Sequence, residues 1–230
     1  MEEFKIENVS DFNNYVVVNI NGIRVLIDTG SPLSLGKINE IEILGNIHPI
    51  TRNLNNLLNM DELSRYVGNV DAIIGADILN NICYEINLSE GIFRVSNEPI
   101  VPINGFSLSV NYLNGIPIIQ CVIDGNNEQA IFDTGAPISY ISEEIANRYN
   151  PIGEMEDYHP MFGKFNTKIY EIPVEINGIT DNFRFGVLPE QLREALRILG
   201  NINNILGFEY LKRFTASISR EPDLFMGKEC

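Results

Sequence analysis

The sequence predicts an all-β fold, mainly strands with a few short helices, built as two similar lobes about a pseudo-twofold axis. Three observations predict it. Short runs rich in β-branched residues end in Asn-Gly or Asp-Gly turn signals, which is the pattern of hairpins. A block of the first half recurs in the second at a fixed spacing. The tripeptide Asp-Thr-Gly stands once in each half at the end of a hydrophobic run, as Asp28-Thr29-Gly30 and Asp133-Thr134-Gly135.

Tyr15 to Ile20 reads as a strand, Asn21-Gly22 as its turn, and Ile23 to Ile27 as the return strand that delivers Asp28. Ile118 to Ile123, Asp124-Gly125 and Gln129 to Phe132 repeat the arrangement ahead of Asp133, with a longer turn. Further on, Ala72 to Leu79 matches Asn204 to Leu211 at an offset of 132 residues, aligning Ile73-Ile74-Gly75 with Ile205-Leu206-Gly207. That offset also pairs Met60 to Val67 with Leu192 to Leu199, both read as helices, and Gly68 with Gly200. The second helix is expected to hold Pro189 in its first turn beside Glu190 and to stop at Gly200 as its C′ residue. The offset carries on to Ile82 with Phe214 and to Phe93 with Phe225 in a closing strand. The lobes are therefore expected at residues 1–97 and 98–230, joined through Asn97-Glu98-Pro99-Ile100-Val101-Pro102, whose prolines suit a linker or an edge.

The two aspartates are 105 residues apart and the two downstream glycines 132, so the second half carries 27 additional residues between its signals. Aligning Ile41-Glu42-Ile43 with Val174-Glu175-Ile176 places the excess between about Tyr140 and Glu171. Ser142 to Tyr149 reads as a short helix with Ser142 as N-cap and Glu143 and Glu144 in its first turn. Glu156 to Lys168, with Tyr158, Phe162 and Gly163, reads as a projecting hairpin.

A hydrophobic content of 44% is that of an ordinary globular chain. The 16 Lys and Arg against 31 Asp and Glu give a net charge of -15, which argues against a nucleic-acid or anionic-membrane partner. Cys83, Cys121 and Cys230 are odd in number and lack CxxC spacing, so neither a disulfide framework nor a zinc site is indicated. With no signal-like N-terminus and no membrane-length apolar run, a cytoplasmic location is expected.

Two aspartates brought together cannot both ionise readily; they share a proton, and one then serves as base while the other serves as acid. The residues quoted above resemble the retropepsin-like and pepsin-like aspartic proteases, and the spacing looks closest to a single-chain fusion of two retropepsin-like units. The resemblance implies a two-lobed acid-protease fold and an aspartic endopeptidase that needs no metal or organic cofactor. Asp28 and Asp133 would activate the attacking water, Thr29 and Thr134 would cross-bond beneath them, and Gly30 and Gly135 would let the substrate backbone approach. Many retroviral members pair an acid after the Asp-Thr-Gly with an arginine after the second glycine. Here those positions hold Pro32, Pro137, Ala76 and Phe208, which points to apolar packing in place of the pair.

The family covers its cleft with flap hairpins, so a single flap is expected near 156–168, from the second lobe only, with Tyr158, Phe162 and Gly163 touching substrate. The partner is a peptide or protein substrate, and a monomer suffices because one chain supplies both acids. His48 and His159 lack ligand-like spacing and read as solvated or core histidines. A rival reading keeps the fold as a silent module that binds extended peptides without cutting them, motivated by the flapless first half.

Overall fold

Both hairpins that lead to the Asp-Thr-Gly segments form as their turn residues dictate. Strand Val17–Ile20 pairs with Ile23–Ile27 across Asn21 and Gly22, at φ 53° and 88°. Strand Ile116–Ile123 pairs with Asn126–Phe132 across Asp124 and Gly125, at φ 52° and 77°. Two successive positive φ values define the turn that Asn-Gly and Asp-Gly favour, since its twist matches that of the flanking strands. The computed structural model describes residues 1–7, 14–52, 60–159, 162–200, 202–220 and 223–229. Across them the fold is all-β with short helices.

Those helices are α1 (Met60–Val67), α2 (Ala76–Leu79), α3 (Glu143–Ala146), α4 (Glu190–Gly200) and α5 (Phe208–Arg213). α1 has the bounds read from the sequence and is followed by Gly68 at φ 76°, the left-handed conformation of a C′ glycine. α4 differs from expectation at both ends. Pro189 stands ahead of the helix, its carbonyl accepting from Leu192 N and Arg193 N, both at 3.0 Å. Gly200 is helical without a positive φ, and its small size has another cause, since a Cβ there would lie 2.7 Å from Leu113 Cδ2. α3 is shorter than expected, although Ser142 caps it as predicted by accepting from Ile145 N.

A base sheet joins the halves. Its strands run Glu2–Lys5, Ile92–Ser96, Cys83–Asn87, Phe214–Arg220, Asp223–Glu229 and Phe106–Leu113, each antiparallel to its neighbour. At the seam Ile86 faces Ala216, Glu85 faces Ser217 and Tyr84 faces Ile218. Glu85 and Ser217 are equivalents at the 132-residue offset, so the pseudo-twofold axis passes between them, and Ser217 Oγ donates to Glu85 Oε2 at 3.1 Å. A backbone ladder centred on that axis thus pairs a strand of one half with a strand of the other.

Above the base each half repeats one crossing. Ile23–Ile27 runs parallel to Ala72–Ile74, which is antiparallel to Leu35–Gly36. Asn126–Phe132 runs parallel to Asn204–Leu206, which is antiparallel to Ser139–Tyr140. Beyond the crossing the halves diverge. In the first, Glu40–Ile43 turns through Leu44 and Gly45 into Asn46–Pro49. In the second, the fourteen-residue strand Gly163–Ile176 pairs at its far end with Ile179–Gly186 and at its near end with Gly153–His159. The additional residues therefore form α3 and a hairpin over 153–169, whose residues 160–161 lie outside the described set.

One large core spans both halves, and two smaller apolar clusters flank it. Second-half residues supply an aromatic knot of Phe132, Tyr210, Phe214 and Phe225, with ring centroids 5.1 to 5.5 Å apart for the pairs in contact. Cys83 and Cys121 are buried and unpaired, and burial pushes the Cys121 thiol up to about 12; Cys230 lies outside the described residues. Among the described residues no helix is long and apolar enough to cross a membrane.

Candidate active site

The crossings determine where the two aspartates stand. Asp28 follows the strand end at Ile27, and its backbone N–H donates to Ile74 O at 3.0 Å; Asp133 N donates to Leu206 O at the same distance. The glycine after each apolar pair is required by contact. A Cβ on Gly75 would lie 2.7 Å from both Ser31 O and Leu33 O, and one on Gly207 would lie 2.2 Å from Ile138 O. The residues after those glycines complete the clamp, with Ala76 N donating to Ser31 O and Phe208 N to Ala136 O.

The loops then interlock. Thr29 N donates to Thr134 Oγ1 at 3.1 Å and Thr134 N to Thr29 Oγ1 at 3.0 Å. Each hydroxyl donates in turn to the opposite strand end, Thr29 to Phe132 O at 2.7 Å and Thr134 to Ile27 O at 2.6 Å. Both threonines are buried, and these four bonds give each hydroxyl a donor and an acceptor partner. Asp28 Oδ1 accepts from Gly30 N and Ser31 N at 3.0 Å, and Asp133 Oδ1 accepts from Gly135 N at 2.8 Å. Gly30 lies against the other acid: a Cβ on it would meet Asp133 Cγ at 2.2 Å, and one on Gly135 would meet Asp28 Cγ at 2.5 Å.

This proximity shapes the acid–base chemistry. Burial pushes the Asp28 carboxyl well above the usual range, and the charge of Asp133 and a hydrogen bond with it push further, against the pull of Ser31 N and Gly30 N. Burial also raises Asp133, while Gly135 N and the bond from Asp28 hold it back. The two carboxyls thus titrate as a pair that holds on to one shared proton.

No protein-family model matches this chain, and no curated protein matches it. Solved structures similar to it are retropepsin-like aspartic proteases, at low TM-score and with partial coverage. A retropepsin-like aspartic protease from Rickettsia conorii is 18% identical, with a TM-score of 0.39 over 56% of this chain and 94% of that one. The EIAV protease bound to an inhibitor is 18% identical, with a TM-score of 0.33 over 42% of this chain and 86% of that one. The simian foamy virus (mac) protease is also 18% identical, with a TM-score of 0.30 over 39% of this chain and 86% of that one.

The hairpin over 153–169 reaches across to the first half. The Tyr158 ring stacks on Tyr66 of α1 with centroids 5.3 Å apart and planes 14° apart, and Tyr66 Oη donates to Glu156 Oε1 at 2.8 Å. Lys164 Nζ lies 3.1 Å from Glu62 Oε1 of α1. Of the residues expected to touch substrate, Gly30 and Gly135 stand with the acids. Tyr158 packs beside Tyr15 and Tyr66 in the first-half flanking cluster. Phe162 is 45% exposed near the hairpin tip, 5.2 Å from the His159 ring, and Gly163 makes the turn at φ 75° with nothing around its Cβ direction. Among the described residues no contact joins Phe162 or Gly163 to the aspartates.

His48 and His159 lie on separate hairpins, and burial lowers His159 to about 4. Among the described residues no group of three His, Cys, Asp or Glu side chains is placed to hold a metal ion. The expected apolar replacement for an acid–arginine pair is seen in the second half, where Pro137 and Phe208 are both buried. It fails in the first: Ala76 is buried but Pro32 is exposed, because the chain there is anchored by polar bonds two residues on. Ser34 Oγ and Ser34 N both donate to Asp77 Oδ1, at 2.6 and 2.8 Å.

Ser34 and its equivalent Ser139 are residues that the sequence reading missed. Both are fully buried, and they accept from Gly75 N at 2.9 Å and Gly207 N at 3.1 Å. The available signal was that the repeat is seven residues long, Asp-Thr-Gly-x-Pro-x-Ser in both halves. Tyr15, Tyr140 and Asp157 were missed as well. Burial raises both tyrosines, and the charges of Asp157 and Asp133 act on each.

Proposed function

We propose that this chain is an aspartic endopeptidase acting on peptide or protein substrates, as a single-chain fusion of two retropepsin-like units over 1–97 and 98–230. The observation that carries the reading is the approach of Asp28 and Asp133 across threonine-bonded loops, each acid packed against the other loop's glycine. Two carboxyls holding one proton suit hydrolysis of an amide. A water between them gives a proton to the ionised carboxyl of the pair as its oxygen bonds to the carbonyl carbon, while the neutral carboxyl passes its proton to the carbonyl oxygen. In the collapse of the resulting diol the carboxyl that took the water's proton gives it to the departing nitrogen as the C–N bond breaks, and a diol hydroxyl returns its proton to the other carboxyl, so the pair again holds one proton. Gly30 and Gly135 leave room for the substrate backbone, and the hairpin over 153–169 roofs the cleft as a single flap carrying Tyr158, Phe162 and Gly163. No step calls for a metal or an organic cofactor, and one chain supplies both acids, so a monomer suffices.

The test is cleavage of a proteome-derived peptide mixture read by mass spectrometry. Asp28→Asn and Asp133→Asn should each reduce turnover at least about 10³-fold, the scale of a lost acid–base group. Retained cutting in either variant overturns the mechanism. Tight binding of a statine-type inhibitor with no turnover by the native protein identifies a peptide-binding module instead.

The same variants report on stability. Both folded-state carboxyls titrate above their unfolded values, so the folded form binds the proton more tightly. The relative stability this confers is complete below the ordinary aspartate value of about 3.9 and is lost as pH rises through the folded value. Asp28→Asn should therefore raise the urea midpoint at pH 7 and change it little at pH 3.

A further inference from the structure

Strand Gly153–His159 is a half-exposed arm whose most buried side chain is an acid. Asp157 is 4% exposed, while its neighbours Glu156 and Tyr158 are exposed and half-buried. Its Oδ2 accepts from Tyr140 Oη, and its Oδ1 accepts from Tyr158 N at 2.7 Å. Among the described residues no lysine, arginine or histidine forms an ion pair with it. The ionisable groups acting on it come from three other segments: Tyr140 in the strand that crosses Ile205, Asp133 in the second catalytic loop, and Tyr15 ahead of the first hairpin. On the outer face of the same arm, Glu156 and Lys164 meet Tyr66 and Glu62 of α1.

Tyr140 lies seven residues after Asp133, so the Asp157 contact ties the arm to the segment that carries the second acid. The neutral carboxyl keeps this tie, since Oδ2–H can donate to Tyr140 Oη while Oδ1 still accepts from Tyr158 N. The ionised carboxyl keeps it too, but buries a further negative charge beside the aspartate pair. A buried charge without a cation is costly, whereas a carboxyl that swings out to water is not.

We propose that Asp157 is a positioning residue: through Tyr140 it holds the hairpin over 153–169 down above Asp28 and Asp133, and loss of its proton loosens that hold. The function of the hold rests on the endopeptidase reading above; its existence does not. Burial pushes Asp157 up to about 6, and the Asp133 charge adds to this, against the pull of Tyr140 and Tyr158 N. In the lifted arm the carboxyl returns to about 3.9. The closed arm then binds the proton more tightly, so the bias toward closure is complete below about pH 4 and gone above about pH 6.

Hydrogen exchange of the intact chain, corrected for the intrinsic pH dependence of amide exchange, tests this directly. Wild-type protection over 153–159 should fall between pH 4 and pH 7 by up to about 100-fold, the limit for a two-unit shift. Asp157→Asn should hold its protection nearly constant across that range, and Tyr140→Phe should lower it at pH 4. Wild-type protection that does not vary with pH, or an unchanged fall in Asp157→Asn, overturns the proposal. If Asp157→Asn does not fold, Tyr140→Phe decides: wild-type protection at pH 4 refutes the tie. With a cleaved peptide in hand, Asp157→Asn should lower KM at pH 7 toward its acidic value without changing kcat at the optimum, a split that a merely structural residue does not give. Total absence of cleavage removes the endopeptidase reading and leaves the exchange result standing on its own.

Discussion

Ser34 and Ser139 hold equivalent places beneath the two aspartates, each accepting from the backbone N–H of the glycine that follows the apolar pair. Their surroundings differ. Asp77 accepts from both the hydroxyl and the backbone N–H of Ser34. Its equivalent Glu209 turns away, accepting from Arg184 at 2.5 Å and Lys212 at 2.9 Å. The segments beyond the crossings are just as unequal: a short hairpin over 40–49 in the first half, and α3 with a long hairpin in the second. The contacts that touch the acids are kept in both halves because each has a close-packed backbone partner and no slack. The supporting polar bonds diverge because a carboxylate accepts equally well from a serine hydroxyl and backbone N–H, as exposed Asp77 does, or from cations, as buried Glu209 does.

Substitutions made in pairs probe that contrast. The largest effect beyond the aspartates themselves is expected at Gly30→Ala and Gly135→Ala, where a methyl would overlap the opposite carboxyl. Both should lose about 10²-fold in kcat/KM, the cost of displacing reacting groups by about 1 Å. A large loss in one and none in the other would show that the two loops are not equivalent. Thr29→Val and Thr134→Val each leave a buried N–H and a buried carbonyl without a partner, and each should cost about 3 kcal/mol in urea unfolding. Equal costs are the expectation here as well.

The supporting serines should separate the halves. Ser34→Ala removes bonds to Gly75 and Asp77 and should cost about 2 kcal/mol, against about 1 kcal/mol for Ser139→Ala, which among the described residues loses the bond from Gly207 N alone. Equal costs for this pair would show that Asp77 contributes nothing at Ser34.

Whatever local chemistry specifies was legible in the chain alone. Asn21-Gly22 and Asp124-Gly125 declared their turns because few residues tolerate two positive φ values in succession. The Asp-Thr-Gly segments and the apolar pairs before Gly75 and Gly207 declared the duplicated floor, because every feature occurs twice at a constant spacing. Which side chains meet across long separations emerged from the folded arrangement instead. Tyr66 and Tyr158 stack though 92 positions apart, and Glu85 faces Ser217 on the pseudo-twofold axis. In the sequence Asp157 is one of 31 acidic residues and no motif marks it. Its burial against Tyr140, where the charge of Asp133 acts on it, results from the way the strand Gly153–His159 is brought against Tyr140 by folding. A residue's turn preference is written in its own backbone, whereas its burial and its charge environment belong to the neighbours that folding brings to it.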